Sequence, residues 1–201
     1  ISFFSTFLTY NLVFLKNKYL NFFTEDFYLL VYLLVILFLF FILYGKKFPI
    51  LLLSVSTSVS NIGIYFSNFE YNFSFILLIL VIVGGSFFST SSGIRFFKIY
   101  TLFKFSINEL ISHTKPRQVL VSKVIFDKKK VDYNVINKYF LSIIFFIISL
   151  TILTILLTIN GIDFTSSIKL GILTLMNTLN SSIYGLENFD FASLSNITKS
   201  I

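Results

Sequence analysis

An uncharged stretch as long as a lipid bilayer is thick, Tyr139–Ile159, constrains this chain more than any other feature. A helix that crosses the hydrocarbon core needs roughly 20 mainly apolar residues. Phe27–Tyr44 is a second uncharged stretch of nearly that length, and only 12% of the chain is charged, against roughly 25% in an average soluble domain. We therefore expect an all-α protein of the lipid bilayer, with spanning helices at 27–45 and 139–159.

The composition removes several classes of chemistry. The chain has no cysteine and one histidine, His113, so disulfide scaffolds, thiol catalysis and Cys/His zinc sites have no residues to use. No carboxylate pair, Ser/His/Asp set or phosphate-binding glycine loop occurs in a suitable setting, so the sequence gives no support for an enzyme. The net charge of +7 is more typical of loop orientation in a membrane protein than of nucleic-acid binding. We predict no tightly bound cofactor, no resident metal and no nucleic-acid partner.

Two further apolar segments are too short to span a bilayer. They are 48–66 and 164–186, and each begins apolar and then becomes rich in hydroxyl and asparagine residues. Half-length helices of this kind suit re-entrant segments, which enter and leave the membrane on the same side. The pattern predicts a pore built from repeated units of span, re-entrant pore loop and span.

The end of the first short segment carries residues suited to an ion filter. A short helix directs the partial negative charge of its C-terminal end at a pore, and the residues after it offer carbonyls that replace the water shell of a cation. We predict such a filter at Ser60, Asn61, Ile62 and Gly63, where glycine allows a close approach to the ion. The alternative is that the serines and threonine of this segment are small residues that pack helices together.

An interrupted helix is predicted after this filter. Residues 72–83 are strongly apolar but lead into GGSFFSTSSG at 84–93, which is rich in glycine and hydroxyl residues. Non-helical backbone at membrane depth survives only where it is buried in protein or lines a watery cavity. We predict that this loop borders an ion pathway, and a cytoplasmic turn is the alternative.

These residues resemble a known family. GGSFFSTSSGIRFFKIYTLFK at 84–104 is similar to GGxxGSTxGGIKxxRxxxLxK, the intramembrane loop of the TrkH/TrkG/KtrB potassium-uptake proteins. NIGIYFSNF at 61–69 is similar to their third filter, approximately TTGFTTSDF, and ordered matches extend over roughly 11–198. Phe88 and Ser92 stand where the family loop has glycines.

The resemblance implies the C-terminal half of such a protein, with about two of four pore repeats of the potassium-channel-like type. The chain starts at Ile1 and its only methionine is Met176, so we expect a fragment. The implied divisions are a cytoplasmic linker at 1–26, the third repeat at 27–98 (span 27–45, pore helix and filter 48–66, broken span 72–98), a basic cytoplasmic loop at 99–138, and an incomplete fourth repeat at 139–201 (span 139–159, pore helix and filter 164–186).

The resemblance also implies potassium uptake through a carbonyl-lined filter, gated by the intramembrane loop. The implied gating residues are Gly84, Gly85, Phe87, Phe88, Ser89, Thr90, Gly93 and Arg95. The fourth filter falls on Asn180, Ser181, Ser182, Ile183 and Gly185. Ile183 lies on the filter glycine, so either Gly185 serves instead or this copy is degenerate.

The family further implies a multi-pass homodimer in the bacterial cytoplasmic membrane, gripped by a cytosolic ring of nucleotide-binding regulatory subunits, with K⁺ as the transported ion. Two alternatives remain open. One is a non-transporting hydrophobic subunit of a larger membrane complex, and the other is an inactive remnant of the transporter gene.

Charge asymmetry predicts the topology. Most basic residues lie between 95 and 138, which the positive-inside rule places in the cytoplasm. A cysteine introduced at Lys129 should therefore react with a membrane-impermeant thiol reagent only from the cytoplasm, and one at Asn68 or Asn188 only from outside. The natural chain has no cysteine, so each label is unique. Labelling of positions 68 and 129 from the same side would contradict two spans within 27–98.

Overall fold

A computed structural model describes the fold of this chain over residues 4, 6, 23–44, 48–62, 74–86, 89–114, 133–178 and 184–186. These residues form helices and no strand, which confirms the predicted all-α class. The helices are α1 (Phe23–Tyr44), α2 (Phe48–Ser60), α3 (Ser74–Val83), α4 (Phe96–Thr114), α5 (Tyr133–Ile159) and α6 (Phe164–Leu175).

Two of the described helices, α1 and α5, are long and apolar enough to cross a membrane. Helix α1 begins ahead of the uncharged stretch because Glu25 and Asp26, in its first turn, favour a helix N-terminus. The outward faces of both helices are apolar: Phe38 is 63% exposed, Phe145 62% and Ile159 76%. A water-soluble monomer rarely leaves so large an apolar surface uncovered, so these faces suit contact with lipid.

The two short helices, α2 and α6, each follow a long one. With 13 and 12 residues, they extend about 18 to 20 Å at 1.5 Å per residue, well short of the roughly 30 Å hydrocarbon core. Helix α2 packs on α1, and α6 packs on α5. Asp163 caps α6 by accepting the backbone N–H of Thr165 at 3.1 Å. The Thr165 hydroxyl, which also donates to this carboxylate, lowers the pKa of Asp163. A pairing of one long and one short helix therefore occurs twice.

Helices α3 and α4 are separated by the predicted interruption. Helix α4 continues to Thr114, into the segment that the sequence predicts to be a loop from residue 99. Its buried residues, Phe96, Phe97 and Thr101, all lie in the first two turns, and most side chains from Phe103 to Thr114 are exposed. Helix α5 likewise begins at Tyr133, ahead of its uncharged stretch.

Helix α3 lies at the centre of the packing. It contacts both short helices, α2 and α6. Its residues Leu77, Leu80 and Val81 are at most 1% exposed. The end of α3, where the helix is interrupted, is thereby held next to both short helices.

Candidate functional site

Helix α2 ends in a left-handed cap at the predicted filter. Asn61 has φ 57°, and its backbone N–H donates to the Ser58 carbonyl at 3.3 Å. The N–H of Ile62 donates to the Thr57 carbonyl at 3.2 Å. These two bonds form a Schellman motif, in which asparagine is one of the few residues other than glycine that tolerate the left-handed position.

Helix α6 ends in the same way. Asn177 has φ 53°, and its N–H donates to the Thr174 carbonyl at 3.1 Å. The N–H of Thr178 donates to the Leu173 carbonyl at 2.9 Å. The two short helices are therefore equivalent when Asn61 is placed on Asn177.

Most hydroxyl groups of α2 donate hydrogen bonds to carbonyls of the same helix. Those of Ser54, Thr57 and Ser60 donate to carbonyls one turn back in the same helix, at 2.7, 3.1 and 3.2 Å. The Ser58 hydroxyl accepts from the hydroxyl of Tyr184 at 3.4 Å, and both residues are fully buried. These four hydroxyls therefore bond to the backbone of α2 itself or to Tyr184.

The segment between α3 and α4 is a closed loop. The N–H of Ile94 donates to the Ile82 carbonyl at 2.9 Å, and that of Phe96 donates to the Gly85 carbonyl at 3.1 Å. These bonds join the residues where the chain leaves α3 to those where it begins α4. The segment is therefore a compact Ω-loop that starts and finishes at one place.

Two glycines form the neck of this loop. Gly84 has φ 66° and Gly93 has φ 111°, values that disfavour any side chain. A Cβ on Gly84 would lie 2.3 Å from the Ser92 carbonyl oxygen, and one on Gly93 would lie 2.9 Å from the Gly84 Cα. Backbone therefore meets backbone here, with no room for a methyl group.

Within the loop, several hydroxyl, carbonyl and guanidinium groups bond to one another. The Ser86 carbonyl accepts the backbone N–H and the hydroxyl of Ser89, at 3.1 and 2.8 Å. The Ser91 hydroxyl accepts the N–H of Gly85 at 2.9 Å and pairs with the Ser89 hydroxyl at 2.8 Å. The Arg95 guanidinium donates to the carbonyls of Ser86 and Ser89 at 3.2 and 3.0 Å. Hydrogen bonds within the loop therefore tie its described residues to one another.

One contact joins this loop to the ends of both short helices. The Asn61 side-chain amide donates to the Ser92 hydroxyl, which donates in turn to the Met176 carbonyl. The Asn61 amide also lies 3.5 Å from that carbonyl. The C-terminal ends of α2 and α6, each with partial negative charge, therefore converge on the interrupted helix.

Two buried side-chain oxygens belong to residues at the end of α2 and in the loop. Asn61 Oδ1 and Ser86 Oγ have no hydrogen-bond partner in the part of the chain that the structure describes. Asn61 is 9% exposed and Ser86 is fully buried. Such acceptors are rare in folded proteins and are concentrated at functional sites.

The segment after α6 is anchored at its far end. Tyr184 and Leu186 are buried, and the Lys169 ammonium donates to the Gly185 carbonyl at 3.4 Å. That carbonyl therefore faces a lysine of the short helix, which also gives Lys169 a polar partner.

The structure brings together only part of the predicted site. Ser60, Asn61 and Ile62 lie at the end of α2, next to a loop that includes Gly84, Gly85, Ser89, Thr90, Gly93 and Arg95. The predicted residues outside the described part are Gly63, Phe87, Phe88, Asn180, Ser181, Ser182 and Ile183. Sequence reasoning did not assign roles to Ser92, Met176 or Asn177. The replacement of a family glycine by Ser92 was the available signal for that residue.

Comparison with known proteins supports the fold. No family model and no curated protein matches the sequence. The structure is similar to the crystal structure of the potassium transporter TrkH from Vibrio parahaemolyticus, with a TM-score of 0.73 and 18% sequence identity. The match covers 90% of this chain and 39% of that chain, so this chain spans about two fifths of the transporter's length. The likeness confirms the predicted fold class and agrees with the resemblance in the motifs.

The loop neck gives a test of this geometry. Gly84→Ala should destabilise the protein by about 1 to 3 kcal/mol through overpacking, in addition to the strain of its positive φ. Gly161→Ala is the matched control, since Gly161 has φ 88° but nothing within 4 Å of its Cβ position. Thermal unfolding in detergent measures both variants. Equal loss of stability would show that the contact at the neck is absent.

Proposed function

We propose that this chain forms part of the pore of a potassium transporter in the bacterial cytoplasmic membrane, as a multi-pass protein. The observation that carries the proposal is the convergence of two short-helix C-terminal ends on one closed loop. A fold shared with a potassium transporter adds support. Helix ends of this polarity favour a cation over an anion, because the carbonyls of the last turn have no partners within the helix.

The mechanism assigns separate roles to the filter and the loop. The residues after α2, from Asn61 through Gly63, supply backbone carbonyls that replace the water shell of K⁺. The loop from Gly84 to Arg95 lies at the helix ends and closes the path below the filter. Ion passage therefore requires the loop to move away from Asn61 and Met176.

The proposal includes the partners implied by the family resemblance. These are a second copy of the chain and a cytosolic ring of nucleotide-binding subunits on the basic cytoplasmic face. The basic residues of α4, Lys98 and Lys104, belong to that face. The mass of the full-length protein in detergent tests the dimer, and a monomer mass contradicts it.

The filter is tested by a single substitution in the full-length protein. Gly63→Asp adds a side chain and a carboxylate where carbonyls must meet the ion, so K⁺ uptake should fall to background while the protein still inserts. Gly161→Asp places the same residue at an exposed glycine outside the site and should leave uptake unchanged. Growth of a K⁺-uptake-deficient host on low potassium measures both. Normal growth with Gly63→Asp would remove Gly63 from the pore.

A parent chain that carries no potassium would contradict the proposal as a whole. That outcome would favour the non-transporting subunit or the inactive remnant. Membrane insertion of the parent, measured on the same cells, separates these outcomes from poor expression.

The matching helix ends also suggest where the fourth filter begins. With Asn61 placed on Asn177, Thr178 takes the position of Ile62, and Leu179 takes that of Gly63. We therefore propose that the fourth filter starts directly after α6, nearer to the helix than Ile183 or Gly185. The engagement of the Gly185 carbonyl by Lys169 supports this register.

Two substitutions distinguish the registers. Leu179→Asp should abolish K⁺ uptake, because it places a carboxylate at the position equivalent to Gly63. Ile183→Asp should reduce uptake less at an equal amount of inserted protein. The reverse order of effects would return the filter to the register of Ile183.

A further inference from the structure

Ser92 is the loop residue whose side chain connects the loop to the short helices. The hydroxyls of Ser89 and Ser91 bond to each other and to loop backbone. The Ser92 hydroxyl instead accepts from Asn61 and donates to the Met176 carbonyl. This one hydroxyl therefore joins the loop to the ends of both α2 and α6.

This attachment depends on a residue that departs from the family pattern. The resembling loops have glycine at the position of Ser92, and glycine has no side chain with which to donate or accept. A serine hydroxyl supplies one donor and accepts as well, so it can link the Asn61 amide to a carbonyl. The rest of the loop keeps its own hydrogen bonds whether or not that link is made.

We propose that the Ser92 hydroxyl is a latch that holds the intramembrane loop against the ends of both pore helices. Release of this one group detaches the loop from the ends of α2 and α6, while the hydrogen bonds within the loop and the 3.5 Å contact between the Asn61 amide and the Met176 carbonyl remain. The latch acts as a positioning element for the closed loop. Its effect on ion flux rests on the proposed function, whereas its effect on loop position does not.

Two variants remove the latch from opposite sides. Ser92→Ala deletes the hydroxyl, and its control Ser142→Ala deletes one that bonds only within α5. Asn61→Gly deletes the amide and keeps a residue that accepts the left-handed position. Asn177→Gly is its structural control, since Asn177 has the same cap geometry in α6 but an exposed side chain.

The position of the loop is measured directly. Spin labels on cysteines at Thr90, in the loop, and Thr174, in the last turn of α6, report the distance from the loop to α6. These 201 residues contain no cysteine, so only cysteines elsewhere in the full-length protein are replaced, and dilution with unlabelled protein removes distances between the two copies of a dimer. Both positions are exposed. Ser92→Ala and Asn61→Gly should broaden and lengthen this distance distribution in the full-length protein in liposomes, and Ser142→Ala and Asn177→Gly should not. Distributions that match those of the controls would overturn the latch.

Potassium flux into the same liposomes gives the second measurement. Loss of one hydrogen-bonded link should raise the basal flux of Ser92→Ala roughly three- to tenfold over the parent, with Ser142→Ala unchanged. A broader distance without flux in any variant would sustain the latch and contradict the proposed function. Unchanged flux in Ser92→Ala, in a parent that conducts, would show that the latch does not control the pore.

Discussion

The structure depends on one constraint: backbone that leaves helical geometry within an apolar layer must satisfy its own polar groups. The loop between α3 and α4 meets this constraint with bonds between its own serines, backbone and Arg95. A glycine neck, at Gly84 and Gly93, allows the chain to leave one helix and begin the next at almost the same place. A polar insertion can therefore meet most of its hydrogen-bonding needs inside a helical protein from its own residues.

The two short helices, α2 and α6, differ in how their C-terminal ends contact this loop. Their ends are alike in backbone, with asparagine in the left-handed position of each. Their side chains diverge, because Asn61 is buried and bonded to Ser92 whereas Asn177 is exposed. The two helix ends thus share one backbone geometry, but α2 contacts the loop through the Asn61 side chain and α6 through the Met176 backbone carbonyl.

The sequence predicted those features that depend on local pattern. Uncharged length predicted helices where α1 and α5 lie, and glycine with serine predicted the interruption after α3. The extension of α4 to Thr114 was not predicted, because its lysines suggested a loop although a buried face continues through Phe97 and Thr101.

Contacts between segments that are distant in sequence could not be predicted from local sequence patterns. The link from Asn61 through Ser92 to Met176 joins residues far apart in sequence, and no hydrophobic periodicity predicts such a contact. The position at which α6 ends was equally hard to predict from the sequence, because the residue in its left-handed cap is Asn177 and not a glycine. An asparagine at the end of both short apolar helices was the signal that sequence reasoning left unused.

The identity of residue 92 follows from the space around it. Next to it, a Cβ on Gly93 would meet Gly84 at 2.9 Å, so the neck has little volume to give. Alanine at position 92 could neither donate nor accept, and a longer amide or carboxylate would add atoms beside this contact. A hydroxyl on a single carbon is the smallest side chain that accepts from one helix end and donates to the other. Serine therefore attaches a loop whose close packing otherwise favours glycine.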